Sequence, residues 1–165
     1  MRVPIGVAVL CSLLLALAPA ALAETLTIEV TSLTTQVKAH DTAPKGKPNK
    51  GDSIAFRDLL MNLKPQFGKK TGQAVAYDVG TQTYTSAKQI RIDCVATFPG
   101  IGTIHFAGPM NTRKDGTTVI PITGGTGGFA GATGTVTIGN GATKAPNVYQ
   151  VTIPHPLDIH STGVA

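Results

Sequence analysis

Apolar and polar residues alternate along most of this chain, and the alternation predicts strands rather than helices. In "TLTIEVT", Leu26, Ile28 and Val30 fall on one face, and threonines and a glutamate fall on the other. A period of two residues is typical of a half-buried strand. Seven further segments have strand character and are separated by turn residues: "DSIAFRDLL", "TGQAVAYDV", "KQIRIDCVATF", "GTIHFAG", "TTVIPIT", "GATGTVTIG" and "NVYQVTI".

Eight short strands with tight connections predict an all-β fold. Eight antiparallel strands in up-and-down order can close into a barrel, whose interior holds side chains or one small ligand. Closure also removes the exposed edges of an open sheet. We therefore expect one lipocalin-like, eight-stranded antiparallel β-barrel, and a chain of 165 residues is long enough for one such core.

The first 23 residues have the pattern of a secretory signal. Arg2 precedes an apolar run from Val3 to about Leu17, and the small residues Ala21 and Ala23 suit signal peptidase. The apolar run is too short to span a bilayer comfortably, and no later run of about 20 apolar residues follows. The sequence predicts a signal peptide over residues 1–23 and a single secreted domain, without a membrane span, over residues 24–165.

Cysteine and charge content exclude several kinds of protein. Cys94 is the only cysteine beyond the signal, so no internal disulfide is expected, and its phase with Ile90 and Ile92 predicts a core position. The net charge is +5, but the lysines of "KAHDTAPKGKPNKG" lie among prolines and glycines, which predicts a solvated loop. This loop has no aromatic residue to stack on bases. No nucleic-acid partner is expected.

The glycine-rich stretch "GGTGGFAGATGTVTIGNG" raises the question of a nucleotide site. Gly125, Gly127 and Ala130 satisfy the G-x-G-x-x-A spacing, but that motif needs a helix after the glycines to hold the pyrophosphate. The residues "GTVTIG" alternate as a strand does, and no Lys-Ser or Lys-Thr pair follows the glycines, as a P-loop requires. The glycines are expected to serve turns, bulges and close backbone approach. We expect no nucleotide and no cofactor.

The tail "HPLDIH" places three possible metal ligands close together in sequence. These are His155, Asp158 and His160, and they lie near a chain end between stiffening prolines. Three ligands in such a segment are a weak basis for a metal centre. No metal site is expected.

The glycine-rich stretch also resembles the hallmark of the allene oxide cyclase and dirigent superfamily. In that hallmark a strand ends in a Gly-Gly-Thr/Ser-Gly turn, a buried phenylalanine follows two residues later, and a glycine-containing strand continues. "GTIHFAGPM" and "KGDSIAFRDLL" resemble two further strands of the family, so the similarity spans residues 29–153. The hallmark positions are Gly124, Gly125, Thr126, Gly127, Phe129, Gly131 and Gly134.

The resemblance implies an eight-stranded barrel, usually trimeric, with an apolar central cavity. In the cyclases of this family, a carboxylate on the first strand works with an asparagine that helps to hold an ordered water, and a cysteine and a tyrosine line the cavity. Glu29 matches the carboxylate, whereas the arginine that dirigent proteins carry after the hallmark falls at Thr133. The remaining cyclase positions hold Thr31, Asp58, Ala74 and Val119. The chain therefore resembles the family in its scaffold and lacks both site signatures.

Glu29 and Asp58 are the predicted catalytic residues, because both point into the barrel if the family's facing holds. Two carboxylates in an apolar cavity raise at least one pKa through desolvation and like-charge repulsion, which leaves an acid that can protonate or orient a ligand oxygen. The alternative is that Glu29 faces solvent and that Asp58 pairs with Arg57, Arg91 or a loop lysine. The predicted cavity residues are Thr31, Phe56, Ala74, Tyr77, His105 and Val119.

Three functions remain open. The lost site signatures favour a secreted, dirigent-like barrel that binds or orients a hydrophobic small molecule without bond chemistry of its own. The first alternative is an isomerase of the allene oxide cyclase type acting on a reactive apolar intermediate, and the second is a structural extracellular module. The family's facing also places the apolar face of the first strand outside the barrel, where another subunit would cover it, and so predicts a homotrimer.

Overall fold

The barrel predicted from the sequence is present and closed. The computed structural model describes residues 22–110, 116–139 and 145–157, and all regular structure in these ranges is strand. Each strand pairs antiparallel with its neighbours in sequence, and the first pairs with the last to close the barrel. The strands are β1 (Glu24–His40), β2 (Ser53–Asn62), β3 (Ala74–Ser86), β4 (Gln89–Phe98), β5 (Gly102–Met110), β6 (Thr117–Gly127), β7 (Thr133–Gly139) and β8 (Asn147–Ile153).

The N-terminal part of the barrel differs from the prediction in length. Residues 1–21 of the predicted signal peptide lie outside the described residues, and β1 begins at Glu24. β1 continues to His40, so Lys38 belongs to this strand and not to the predicted loop. A register shift between Thr34 and Gln36 marks a bulge in its pairing with β2. In the described ranges, no helix is long and apolar enough to cross a membrane.

Asp52 anchors the connection between β1 and β2. One of its carboxylate oxygens accepts hydrogen bonds from the backbone N–H of Thr42 at 2.7 Å and from the Thr42 hydroxyl at 2.5 Å. The other oxygen accepts a hydrogen bond from the backbone N–H of Asn49 at 2.7 Å. The hydrogen bonds from Thr42 hold the pKa of Asp52 below its usual value, because they stabilise the ionised form. The connection is therefore fixed at the end of the barrel where β1 ends.

Burial alternates along the strands and shows which face turns inward. On β1, Ile28 and Val30 are buried, and Glu29 between them lies on the outer face. On β4, Ile92 and Cys94 are likewise buried. The apolar faces of both strands thus belong to the core, which corrects the expectation that β1 turns its apolar face outward. The physical reason is that closure around apolar side chains removes more apolar surface from water than closure around Glu29.

Aromatic rings fill one end of the barrel, which we call the packed end. The ring centroids of Phe98 and Phe129 lie 5.1 Å apart, and Phe67 lies 5.4 Å from Phe98. The ring of Tyr149 meets Phe98 edge-on at 6.4 Å and Phe106 at 5.8 Å. Such tilted and edge-on contacts favour aromatic pairs beyond the burial of their area. The packed end is therefore a dry, well-filled part of the core.

The glycine-rich stretch helps to build the packed end. Its second half forms the strand β7, as the sequence predicts, and Phe129 is fully buried. A Cβ atom on Gly134 (φ 123°) would collide with the carbonyl oxygen of Gln150, and one on Gly125 would collide with that of Phe129. These glycines let neighbouring backbone segments approach more closely than a side chain permits. Their role in this structure is packing.

Candidate functional site

A cavity of about 210 Å³ lies in the barrel interior beyond the aromatic cluster. It extends toward the barrel end where β1 ends and β2 begins, and Val37, 63% exposed, stands at its mouth. Among the described residues, the apolar wall is formed by Ile54, Phe56, Ile92, Cys94, Phe106, Met110 and Ile138. Two carboxyl groups, Asp58 and Asp78, interrupt this apolar wall.

Asp58 and Asp78 are direct neighbours across the β2–β3 ladder. They are paired in register, and their positions alternate with outward-facing residues on both strands. Asp78 is only 4% exposed. The Oδ1 atoms of both residues are buried and have no hydrogen-bond partner in the described part of the chain. Since buried polar atoms are nearly always hydrogen-bonded, two such oxygens side by side call for an explanation.

The environment of this acidic pair opposes negative charge. The pKa of Asp78 is raised to about 7, mainly by burial and also by the charge of Asp58, while a backbone hydrogen bond from Asp58 lowers it in part. A carboxyl group with a pKa near 7 exchanges its proton near neutral pH. Near neutral pH Asp78 can therefore present either a proton or a negative charge to a ligand.

Two further titratable groups face the pair. Burial raises the pKa of the Cys94 thiol and of the Tyr149 hydroxyl, and the charges of Asp78 and Asp58 raise both further. The Tyr149 hydroxyl is fully buried and, like the two Oδ1 atoms, lacks a hydrogen-bond partner among the described residues. Both groups therefore stay neutral, and Cys94 is a core thiol rather than a nucleophile.

Positive charge is absent from the described cavity wall, since no lysine, arginine or histidine lines it there. The two arginines considered as partners of Asp58 lie elsewhere. Arg57 stands over the ring of Tyr77, 4.5 Å from its centroid, and Arg91 pairs with Asp93 at 3.1 Å on the exposed surface. Neither arginine therefore pairs with Asp58, which was the alternative left open by the sequence.

Glu29, the other predicted catalytic residue, is separated from the cavity. Its carboxylate forms an exposed ion pair with the ammonium group of Lys64 at 2.7 Å. Its backbone carbonyl accepts hydrogen bonds from the N–H of Leu63 and from the side-chain amide of Gln66. The structure thus brings Asp58 together with Asp78 and not with Glu29, because Glu29 alternates with the buried residues Ile28 and Val30.

Only one of the six predicted cavity residues lines the cavity. Phe56 lines the cavity, as expected. The other five do not line it, because they are exposed or lie on the outer faces of their strands. Tyr77 lies under Arg57, the Nε2 atom of His105 lies 2.9 Å from the Thr103 hydroxyl, and Val119 is 58% exposed. The five corrected positions are Thr31, Ala74, Tyr77, His105 and Val119.

Asp78 and Tyr149 are the site residues that the sequence analysis missed. Asp78 carries a readable signal, since it stands two residues after Ala76, in phase with the small residues of its strand. A carboxylate in phase with an apolar face is unusual enough to mark a site. Tyr149 carries no such signal, because a tyrosine in phase with Val151 and Ile153 is typical of a core.

No group of three His, Cys, Asp or Glu side chains lies within metal-binding reach of one another among the described residues. Asp158 and His160 of the sequence "HPLDIH" lie outside the described residues. What the cavity offers is an apolar surface, hydrogen-bond acceptors and one carboxyl group that titrates near neutral pH.

Several solved structures of other proteins have the same fold. A pyocyanin demethylase is 24% identical over 78% of this chain and 99% of its own, with a TM-score of 0.60. A pterocarpan synthase dirigent protein is 17% identical over 79% and 82%, with a TM-score of 0.55. A Diels-Alderase from Streptomyces koyangensis is 15% identical over 83% and 72%, with a TM-score of 0.58. No family model and no curated protein sequence matches the chain.

These likenesses concern the fold. The structural neighbours are barrels of the allene oxide cyclase and dirigent type, and this chain has the same barrel. The fold implied by the glycine-rich hallmark is therefore confirmed.

Proposed function

We propose that this chain is a secreted, dirigent-like barrel that binds an apolar small molecule in its interior cavity and holds it in one orientation. The observation that carries the proposal is the cavity itself, whose described wall is largely apolar and bears two carboxyl groups, Asp58 and Asp78. Apolar pockets with a few placed polar groups are the usual form of a small-molecule site. The apolar wall supplies affinity, and the acidic pair fixes which end of the ligand points inward.

The size of the cavity supports a small ligand. An apolar cavity of about 150 Å³ is enough to bind benzene. A volume of about 210 Å³ suits a compact molecule of one or two rings, and a longer ligand would project past Val37 at the mouth. The structural neighbours named as dirigent proteins and Diels-Alderases support a role in holding small organic molecules.

A second candidate, an isomerase of the cyclase type, is favoured by one observation. Asp78, with its pKa near 7, can donate a hydrogen bond or a proton to a ligand oxygen in water-poor surroundings. An allene oxide added to the purified protein would then give one enantiomer of its cyclised product in excess. We expect a racemic product, and an excess that Asp78→Asn abolishes would establish the isomerase instead.

Export and assembly belong to the same proposal. Cleavage after Ala23 would release a chain that begins at Glu24, where β1 begins, and the intact mass of the secreted protein tests this. A homotrimer would cover outward-facing apolar residues such as Val79 and Val95, which are neighbours across the β3–β4 ladder. A light-scattering mass of one chain at micromolar concentration would contradict the trimer.

Binding is tested with a neutral fluorescent probe, N-phenyl-1-naphthylamine, whose third ring would project past Val37, and with two matched variants. Val37→Trp places a large ring at the cavity mouth, whereas Val119→Trp adds the same ring to the outer face. Both residues are exposed strand valines, so neither change should unfold the barrel. We expect probe affinity to fall at least tenfold in Val37→Trp, about 1.4 kcal/mol, and to stay unchanged in Val119→Trp. Equal affinities, or no binding by the unmodified chain, would refute the proposal.

A further inference from the structure

The acidic pair in the cavity lacks the partners that buried carboxyl groups require. Asp78 is only 4% exposed and lines the cavity. Its Oδ1 atom has no hydrogen-bond partner in the described chain. The Oδ1 atom of Asp58, directly across the ladder, is also buried and has no hydrogen-bond partner among the described residues. A buried acceptor without a donor costs free energy, and a buried charge without a counter-charge costs more. No described residue donates to these two oxygens, so a bound ligand can supply the missing donors.

The groups around the pair cannot supply a positive charge. The titratable groups that face it are Cys94 on β4 and Tyr149 on β8, and both are acids. The polar residues of the described wall, Thr34, Gln82 and Asn147, are neutral. The described wall therefore combines two carboxyl groups with neutral polar groups, and it contains no cation.

We propose that the ligand of this cavity is an apolar molecule that carries a protonated amine, and that its N–H groups donate to Asp58 and Asp78. An ammonium group offers several donors from one atom, so it can serve two adjacent oxygens at once. A ligand carbonyl has no hydrogen to donate to these oxygens, and an alcohol donates only one and leaves the charge unbalanced. The inference rests on the proposed binding function and specifies the class of ligand.

A comparison of three naphthalene compounds tests the charge requirement. 1-Naphthylmethylamine, 1-naphthylmethanol and 1-naphthoate have the same ring system and differ in bearing a positive, neutral or negative group. The chain contains no tryptophan, so naphthalene emission is read without that background. At pH 8, we expect the amine to bind roughly tenfold more tightly than the alcohol, and the carboxylate to bind most weakly.

Two variants locate the effect at the pair. Asp78→Asn keeps the shape and removes the charge inside the cavity, and we expect it to reduce the preference for the amine over the alcohol at least fivefold. Asp93→Asn removes the same charge from the outer face of β4, where the carboxylate is exposed and pairs with Arg91. It should leave the preference unchanged. Circular dichroism and the affinity for the neutral alcohol show that each variant still folds.

The pH dependence gives an independent measurement. Between pH 6 and pH 8 the amine stays protonated, while Asp78 loses its proton near pH 7. The affinity for the amine should therefore rise severalfold over this range, and the affinity for the alcohol should not. In Asp78→Asn the rise should be lost.

The outcomes separate this inference from the proposed function. If the amine and the alcohol bind equally, or if the carboxylate binds best, the inference is overturned while the binding function stands. If neither these compounds nor N-phenyl-1-naphthylamine bind, the binding function fails first. An amine preference that persists in Asp78→Asn and in the Asp58→Asn/Asp78→Asn double variant also overturns the inference, because the selectivity then comes from elsewhere.

Discussion

The two halves of the barrel interior are built from the same strands and differ in how their buried groups are satisfied. At the packed end, Phe67, Phe98 and Phe129 contact one another closely, and the ring of Tyr149 packs against Phe98. At the cavity end, the same alternation turns Asp58 and Asp78 inward, next to empty space. One half stabilises the fold, and the other half holds unmet interactions that a ligand can complete. Sites are commonly built this way, at a cost in stability.

Removal of a buried aromatic ring should give the largest difference in stability between the two ends of the barrel. Phe98→Ala takes a fully buried ring from the packed end and should lower the free energy of unfolding by about 3 to 5 kcal/mol. Phe56→Ala takes a partly buried ring from the cavity wall, beside space that is already empty, and should cost about 1 to 2 kcal/mol. Urea titrations measure both. Similar losses would mean that the cavity end is as tightly packed as the other.

Neutralisation of Asp78 sharpens the comparison, because it should stabilise the protein. The folded-state pKa of about 7 lies above the usual value of 3.8, so the folded chain binds more protons than the unfolded chain between these pH values. The free energy of unfolding therefore falls by at most about 4 kcal/mol as the pH rises from about 4 to 7. Above that range it is level. Asp78→Asn removes this loss.

We expect Asp78→Asn to raise the free energy of unfolding by about 1 to 3 kcal/mol at pH 8 and to flatten its dependence between pH 4 and pH 7. The gain is less than the full amount because the new amide is itself incompletely hydrogen-bonded. The matched control is Asp93→Asn on the exposed face, which should change stability by at most about 0.5 kcal/mol. Destabilisation by Asp78→Asn at every pH would show that its carboxylate has a partner.

The smallest effect is expected outside the barrel. Glu29→Gln breaks an exposed ion pair with Lys64, and such pairs contribute about 0 to 1 kcal/mol. The variant should keep the probe affinity and any product chirality of the unmodified chain. A marked loss of either would return Glu29 to the functional site and would require the outer face of β1 to take part.

Several features could be predicted from the sequence because they depend on local pattern. The eight strands follow from alternation and turn residues, and the glycine run could be assigned to turns because "GTVTIG" continues as a strand. Asp58 could be placed among the candidates through the resemblance. These inferences required only the neighbours of each residue along the chain.

The inward face of each strand was decided by the tertiary structure. Alternation divides β1 into a face with Glu29 and a face with Ile28, but it does not say which of them closes around the core. The family's facing suggested the first, whereas the closed barrel buries the second. The same ambiguity explains why Thr31, Tyr77 and Val119 were predicted to face the cavity but do not line it.

The acidic pair lies at the boundary between these two kinds of information. The residue types and the phase of Asp58 and Asp78 along their strands are fixed by the sequence. Their meeting depends on the β2–β3 register, which sets two residues 20 positions apart directly opposite each other. The raised pKa of Asp78 follows only from that contact and from burial by the other strands. Sequence determined that each carboxylate shares a strand face with apolar or small residues. The closed barrel determined that both faces turn inward and that the carboxylates lie together, because proximity and desolvation are properties of the assembled interior.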